Sequence, residues 1–323
     1  MKIAITGGGG FLGQRLAREF LSGGAADIVL ADLGAPRGFE NEPRVSVRSA
    51  DLADPKAASA LVADADVIVH LAAVVSGQAE ADFDIGMRVN LDATRLLLEA
   101  ARAAGRRPVF VFSSSLAVFG PPLPAVLDEE TAVHPQSSYG MQKAVGELLV
   151  ADYSRRGFVD GRIVRLPTVC VRPGKANAAA SSFVSGIIRE PLAGQKAVCP
   201  VGRDLELWLS SPQAAVSNLF RAATLPASAW GDRRVVNLPG ITVTVGGMIE
   251  ALERQAGAEA VARIEFADVP AVRRIVASWP SRFDVARGRS LGFVQDPDFD
   301  ALVRQFVAES GAEQGSPRGA RPV

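Results

Sequence analysis

Lys2-Ile3-Ala4-Ile5-Thr6-Gly7-Gly8-Gly9-Gly10-Phe11-Leu12-Gly13 reads as a short apolar strand, a glycine turn and the first residues of a helix. Leu12, Leu16 and Phe20 recur at helical spacing and carry that helix from Phe11 to Leu21. Gly7, Gly10 and Gly13 have separate uses: the first permits a tight turn, the second lets backbone approach a pyrophosphate, and the third lets the helix lie close to the sheet. The amides of the first helical turn, at Phe11, Leu12 and Gly13, together with the helix dipole, favour phosphate. The stretch is the opening βα unit of a dinucleotide-binding sheet.

Outward from it, strand and helix alternate. Ile28 to Ala31 predicts a second strand ending at Asp32, Val45 to Val47 a third leading to Asp51-Leu52, and Val67 to Leu71 a fourth leading to Ala72-Ala73. A helix is expected over Asn90 to Ala104, a strand over Pro108 to Phe112 running into Ser113-Ser114-Ser115, a helix over Tyr139 to Tyr153 and a strand over Gly161 to Leu166. This order predicts an α/β fold: a Rossmann-type, doubly wound, mostly parallel sheet with helices on both faces. Pro121 to Ser138, rich in proline and polar residues, reads as a surface loop, with Asp128-Glu129-Glu130 as solvated charge. Beyond Pro167 the pattern loosens, with helices expected over Ser182 to Arg189, Val245 to Gln255 and Asp298 to Glu309. The expected organisation is a cofactor domain over 1–170, a smaller substrate-binding part over 171–309 with some segments returning to the first domain, and a flexible Gly-, Pro- and Arg-rich tail over 310–323.

Composition narrows the partners. The 323 residues include 35 basic and 35 acidic side chains, so no net field recruits nucleic acid or an anionic membrane. No apolar run reaches membrane-spanning length. Cys170 and Cys199 are too few for a disulfide framework or a metal site, and read as small buried hydrophobes in a reducing compartment. A cytoplasmic protein without a metal, acting on a small molecule, is expected.

Two sets of residues carry chemistry. Asp32, at the end of the second strand, stands where a carboxylate accepts hydrogen bonds from the adenosine ribose, which favours NAD over NADP. Asp51 and Leu52 can meet the adenine edge and face, and Ala72 and Ala73 leave room beside a strand end. In Tyr139-Gly140-Met141-Gln142-Lys143 a phenol and an ammonium lie one helical turn apart. A cation there is expected to lower the phenol from its ordinary pKa of about 10, so that Tyr139 exchanges a proton near neutrality. Ser115 can hold the substrate oxygen, and Lys143 can also bond the nicotinamide ribose.

With TGGGGFLG at Thr6 to Gly13, Asp51-Leu52, HLAA at His70 to Ala73, SSSLAVFG at Ser113 to Gly120 and YGMQK at Tyr139 to Lys143, the chain resembles the extended short-chain dehydrogenases/reductases, within the NAD-dependent epimerase/dehydratase family. The resemblance implies catalytic roles for Ser115, Tyr139 and Lys143. It also places Asn90 near the cofactor and Pro167-Thr168-Val169 on its nicotinamide side, and it favours a homodimer formed through helices beside the sheet. Phe119 stands where a tyrosine is common, which costs a hydroxyl and leaves the proposed triad intact.

The carboxy-terminal half separates the members of this group. LELWLSSPQAAV, from Leu205 to Val216, lacks the Arg-Asp-aromatic and paired-acid pattern of many nucleotide-sugar enzymes. The stretches from Arg165 to Phe183 and from Cys199 to Gly202 look instead like those of dehydrogenases of four-carbon sugar acids, which implies oxidation at the hydroxyl beside a carboxylate. Arg172 and Lys175 are then candidates for the carboxylate, and Asn177, Ser181 and Ser182 for hydroxyls. Epimerisation or dehydration of a nucleotide sugar on tightly held NAD, and a noncatalytic NAD-binding role, are the competing readings.

Overall fold

The structure, a computed structural model, describes residues 1–24 and 27–315. Its first half runs β1 (Lys2–Thr6), α1 (Phe11–Ser22), β2 (Asp27–Asp32), β3 (Val45–Ser49), α2 (Pro55–Val62), β4 (Val67–His70), α3 (Ser76–Ala81), α4 (Phe83–Gly86), a π-helical turn Met87–Asp92, α5 (Ala93–Ala104), β5 (Val109–Ser115), α6 (Ser138–Arg155) and β6 (Asp160–Leu166). The second half runs β7 (Thr168–Val169), α7 (Ser182–Leu192), β8 (Ala197–Cys199), β9 (Glu206–Ser210), α8 (Pro212–Thr224), α9 (Ala227–Trp230), β10 (Val235–Asn237), β11 (Ile241–Thr244), α10 (Val245–Ala256), α11 (Ala258–Val261), β12 (Ile264–Phe266), α12 (Pro270–Val276), α13 (Ala286–Ser290) and α14 (Phe299–Gly315).

Seven strands form the central sheet in the order β10-β6-β5-β4-β1-β2-β3, and all its pairings are parallel. The order reverses between β1 and β4, and ligands of doubly wound sheets bind at such a reversal, beyond the carboxyl ends of the strands. Apolar side chains bury both faces: Ile3, Ile5, Leu16, Phe20 and Leu219 fill one core, and Ala4, Ile68, Leu97, Phe110 and Ile163 the other. A separate core, with Val184, Ile188, Leu209, Met248, Leu252 and Val303, joins α7, α10 and α14 around the short strands β7, β9 and β11.

The structure departs from the sequence reading at three places and shows one return of the chain to the central sheet. The helix expected to start at Asn90 starts earlier, as the π-turn, and Asn90 is buried inside it. Residues 212–237 return to the central sheet: α8 packs on α1, and β10 pairs with β6. A local signal marks α8, because Ser211 accepts a hydrogen bond from the Ala214 amide at 3.0 Å and Pro212 occupies the first turn. The last helix continues through Ser310 to Gly315, past the start of the expected tail, and 316–323 lie outside the described residues. Within Asp128-Glu129-Glu130, Glu129 is no idle surface charge, since its carboxylate accepts the Asn237 amide of β10 at 3.0 Å.

Candidate active site

The glycine turn is shaped by close backbone approach. Gly7 has φ +68, and an added Cβ there would lie 2.9 Å from the Ala72 nitrogen. A Cβ on Gly13 would meet the Gly7 carbonyl oxygen at 2.3 Å, so only glycine brings α1 this near the turn. Gly10 caps α1 without a side-chain acceptor, leaving the first-turn amides of Phe11, Leu12 and Gly13 to face the cleft. At the end of β2 the Asp32 carboxylate accepts the Gly9 amide at 3.0 Å and the Leu33 amide at 2.8 Å, so its oxygens are held beside the turn. A cavity of about 220 Å³ opens there, lined by Gly7, Gly10, Asp32, Asp51, Leu52, Ala72 and Ala73. Asp51 is partly engaged, paired with Arg88 and accepting the Ala53 amide at 3.0 Å. An open phosphate cradle next to an anchored acid and an apolar slot fits a dinucleotide through its adenosine half.

A buried polar string beneath the turn sets its position. The Thr6 hydroxyl accepts the amides of Leu71 and Ala72, each at 3.1 Å, and so donates to His70 Nδ1 at 2.7 Å. His70 Nε2 donates to Thr94, at 2.9 Å, whose hydroxyl donates to the Asn90 carbonyl at 2.7 Å. Burial pushes the His70 pKa down to about 3, aided by the Lys143 charge, so the ring is neutral and this tautomer follows from its partners. The Asn90 side chain binds the Val74 amide at 2.8 Å and donates to Gln142 at 2.7 Å. Asn90 acts here through backbone order, linking the strand end after β4 to α6. Thr6, Thr94 and Gln142 escaped the sequence reading; their signal was polarity at positions that an apolar core pattern would fill.

A second cavity of about 310 Å³ shares Gly7, Gly10, Leu71 and Ala73 with the first and runs to Ser115, Tyr139, Lys143, Pro167 and Val169. Gly140 lets α6 start here: a Cβ would lie 2.1 Å from the Ala117 carbonyl oxygen at the end of β5. Ser115 accepts the Ala117 amide at 3.1 Å, which leaves its hydrogen for the Tyr139 phenol. Lys143 is 2% exposed, with its ammonium 5.7 Å from the Tyr139 ring centre and 4.9 Å from that of Phe112.

The expected lowering of the Tyr139 pKa is corrected. Burial pushes the phenol up to about 12, against the Ser115 hydrogen bond, and pushes Lys143 down to about 8, against the nearby Glu147 carboxylate. At this separation desolvation outweighs the attraction of the cation. Tyr139 therefore rests as a neutral phenol that Ser115 can polarise.

Of the residues named for substrate, the structure brings Arg172 and Ser181 to the cleft and leaves Lys175, Asn177 and Ser182 outside its lining. Lys175 and Asn177 are exposed. Asn177 is spent on Arg172 Nη2 at 3.3 Å and the Ala179 amide at 3.1 Å, and Ser182 accepts the Asn177 amide at 3.0 Å. They order the loop, and a loop residue's direction cannot be read from composition. Arg172 Nε is buried without a partner among the described residues. Ser76, Thr168 and Trp279 also line the cleft.

A glycine turn with open first-turn amides, an anchored acid at the end of β2 and a phenol, serine and lysine in one continuous groove fit an NAD-dependent oxidoreductase acting on a CH–OH group. The chain belongs to the NAD dependent epimerase/dehydratase family, whose profile matches residues 3–209. It is 52% identical to D-erythronate dehydrogenase of Cupriavidus necator, over 96% of this chain and 99% of that one. It is 48% identical to the enzyme of the same name from Haemophilus influenzae, over 95% and 99%. Among solved structures, the nucleoside-diphosphate-sugar epimerase from Agrobacterium tumefaciens superposes with a TM-score of 0.91 at 44% identity, over 97% of this chain and 95% of that one.

Proposed function

We propose that the chain oxidises D-erythronate at its C2 hydroxyl, giving 2-oxo-D-erythronate and NADH. The observation that carries this reading is Arg172, whose buried Nε lacks a partner in the cleft that also holds Ser115 and Tyr139. An unpaired guanidinium N–H in that setting suits a carboxylate. Ser181 offers a hydroxyl for the polyol end.

In this reading Gly7, Gly10 and the first-turn amides of α1 hold the pyrophosphate, Asp32 the adenosine ribose, and Pro167 with Val169 the nicotinamide side. NAD, when bound, supplies the hydride acceptor. Ser115 steadies the oxygen of the reacting hydroxyl, and Tyr139 takes its proton. Lys143 favours the tyrosinate form and keeps its own ammonium beside the nicotinamide-ribose position. The high resting pKa of Tyr139, about 12, makes oxidation faster as pH rises toward about 8, where Lys143 loses its proton, because a larger fraction of Tyr139 is then tyrosinate and able to accept a proton.

A second reading, transient oxidation of a nucleotide sugar, draws on the 44% identity to the Agrobacterium epimerase. The lining works against it: its cations are Lys143 and Arg172, which offers little for a further diphosphate. NADH absorbance separates the two readings. With NAD and D-erythronate the purified protein is expected to accumulate NADH and Tyr139→Phe to accumulate none, whereas an unchanged NADH level with wild type across sugar acids rejects the dehydrogenase reading.

The protein is further read as a cytoplasmic homodimer. Met141, Val145 and Leu148 recur along α6, with Leu148 68% exposed, and Phe83 on neighbouring α4 is 54% exposed. A second copy of the same face would cover them. Two buried free cysteines suit a reducing compartment, and no described helix is long and apolar enough to cross a membrane.

A further inference from the structure

Below the cleft, three buried polar side chains from three elements meet. Glu147, one turn after Lys143 on α6, takes a bidentate pair from Arg165 of β6, with Nε at 2.9 Å and Nη2 at 2.7 Å, and accepts the Ser114 hydroxyl of β5. Ser114, Glu147 and Arg165 are 2%, 6% and 5% exposed. The guanidinium also lies 4.6 Å from the Phe119 ring centre, where an aromatic face without a hydroxyl stacks on it. Ser114 itself lines the cleft beside Ser115, while Glu147 follows Lys143 by one turn and Arg165 precedes Leu166-Pro167.

A buried ion pair is a poor way to gain stability, because desolvation offsets the attraction and an apolar pair of similar volume does as well. Placement gives this one a different use. We propose that Ser114, Glu147 and Arg165 form a positioning set that clamps β5, α6 and β6 under the cleft and sustains the Lys143 ammonium. Lys143 is faced by Tyr139 and Glu147 from its own helix, by His70 from β4, and by Arg165 from β6 beyond Glu147. Glu80 of α3 and Glu99 of α5 meet the two ends of α6, at Ser138 and Tyr153, and not its middle. His70 is neutral, so Glu147 is the anion that opposes the loss of the Lys143 proton on burial. Arg165 aims that carboxylate through its two hydrogen bonds.

The catalytic half of this inference rests on the dehydrogenase reading; the electrostatic half does not. The test therefore starts on the free protein. The chain has five lysines, Lys2, Lys56, Lys143, Lys175 and Lys196, so carbon-13 labelling at lysine Cε gives a resolvable titration, with Lys143→Met to assign the signal. Wild-type Lys143 is expected to titrate at about 8. In Glu147→Gln, and in Glu147→Met with Arg165→Met, the midpoint is expected to fall by about one pH unit as the facing carboxylate is lost. The paired apolar variant leaves no orphaned charge and keeps the core packed. A folded double variant whose Lys143 titrates as in wild type overturns the proposal, whatever the substrate proves to be. The rising limb of kcat/KM for NAD-dependent oxidation is expected to level off where Lys143 loses its proton, and so at a lower pH in the variants. A uniform loss of rate with an unmoved limb would mark a merely structural pair and overturn it as well, while a wild type without turnover on D-erythronate would count against the substrate reading alone.

Discussion

At Lys143 chemistry and stability oppose each other. Its folded pKa, about 8, lies below the ordinary lysine value of 10.5 in the unfolded chain. Folding therefore carries the full cost of burying the charge below about pH 8, and that cost shrinks as pH rises and is lost above about 10.5, where both states are neutral. Lys143→Met is expected to raise stability at pH 7 by about 3 kcal/mol while abolishing turnover, and the gain should vanish near pH 10.5. Urea unfolding at the two pH values checks it, and a destabilised variant at pH 7 would show that the ammonium is better solvated than its 2% exposure implies.

Arg172 poses a different residue-scale question, because its buried Nε has no partner among the described residues. Arg172→Ala is expected to raise KM for D-erythronate by roughly a hundredfold, the scale of one charged hydrogen-bonded pair, with NAD affinity unchanged. Steady-state kinetics beside NAD titration make the comparison. An unaltered KM would move the carboxylate elsewhere in the cleft. Lys175, an equal candidate in the sequence, shows what residue type omits: a basic side chain serves a site only if its backbone aims it there, and this one is left exposed.

Among the elements, the β1-turn-α1 unit was the most legible, because its constraint is local: three glycines, a strand before them and a helix after. Gly13→Ala would drive a methyl into the Gly7 carbonyl, at 2.3 Å, and into Gly8 Cα, at 2.9 Å. The turn must open, at a cost of about 1–3 kcal/mol. NAD affinity should fall at least roughly tenfold with the helical circular dichroism signal intact, and calorimetric titration that finds wild-type affinity would mean the phosphate sits away from this turn. The π-turn at Met87–Asp92 was less legible. Asn90 within it is held from outside, by Val74 and Gln142, and no local propensity records such a tie. Tyr139 and Lys143 were found by their spacing, yet the direction of the Tyr139 pKa was misjudged, since spacing reports neighbours and says nothing of solvent.

For the whole molecule, the chain crosses its own division. After building a core around β9 and α7 it sends α8 and β10 back to the central sheet, so the groove between the two is formed by segments far apart in sequence. Pairing two copies through α6 would leave that groove open. Leu148→Glu is expected to convert a homodimer to a monomer in light scattering while NAD binding persists; a wild type that is already monomeric would reject the dimer. What the sequence determined by itself was whatever depends on near neighbours: the alternation of strand and helix, the glycine turn, the acid after β2, and the one-turn spacing of phenol and ammonium. Tertiary structure alone decided which polar groups lost their water. The tautomer of His70, the high pKa of Tyr139, the tie between Glu147 and Arg165 and the presence of Arg172, but not Lys175, in the cleft lining all follow from packing and from partners far along the chain, and desolvation is a property of the packed molecule rather than of any stretch of it.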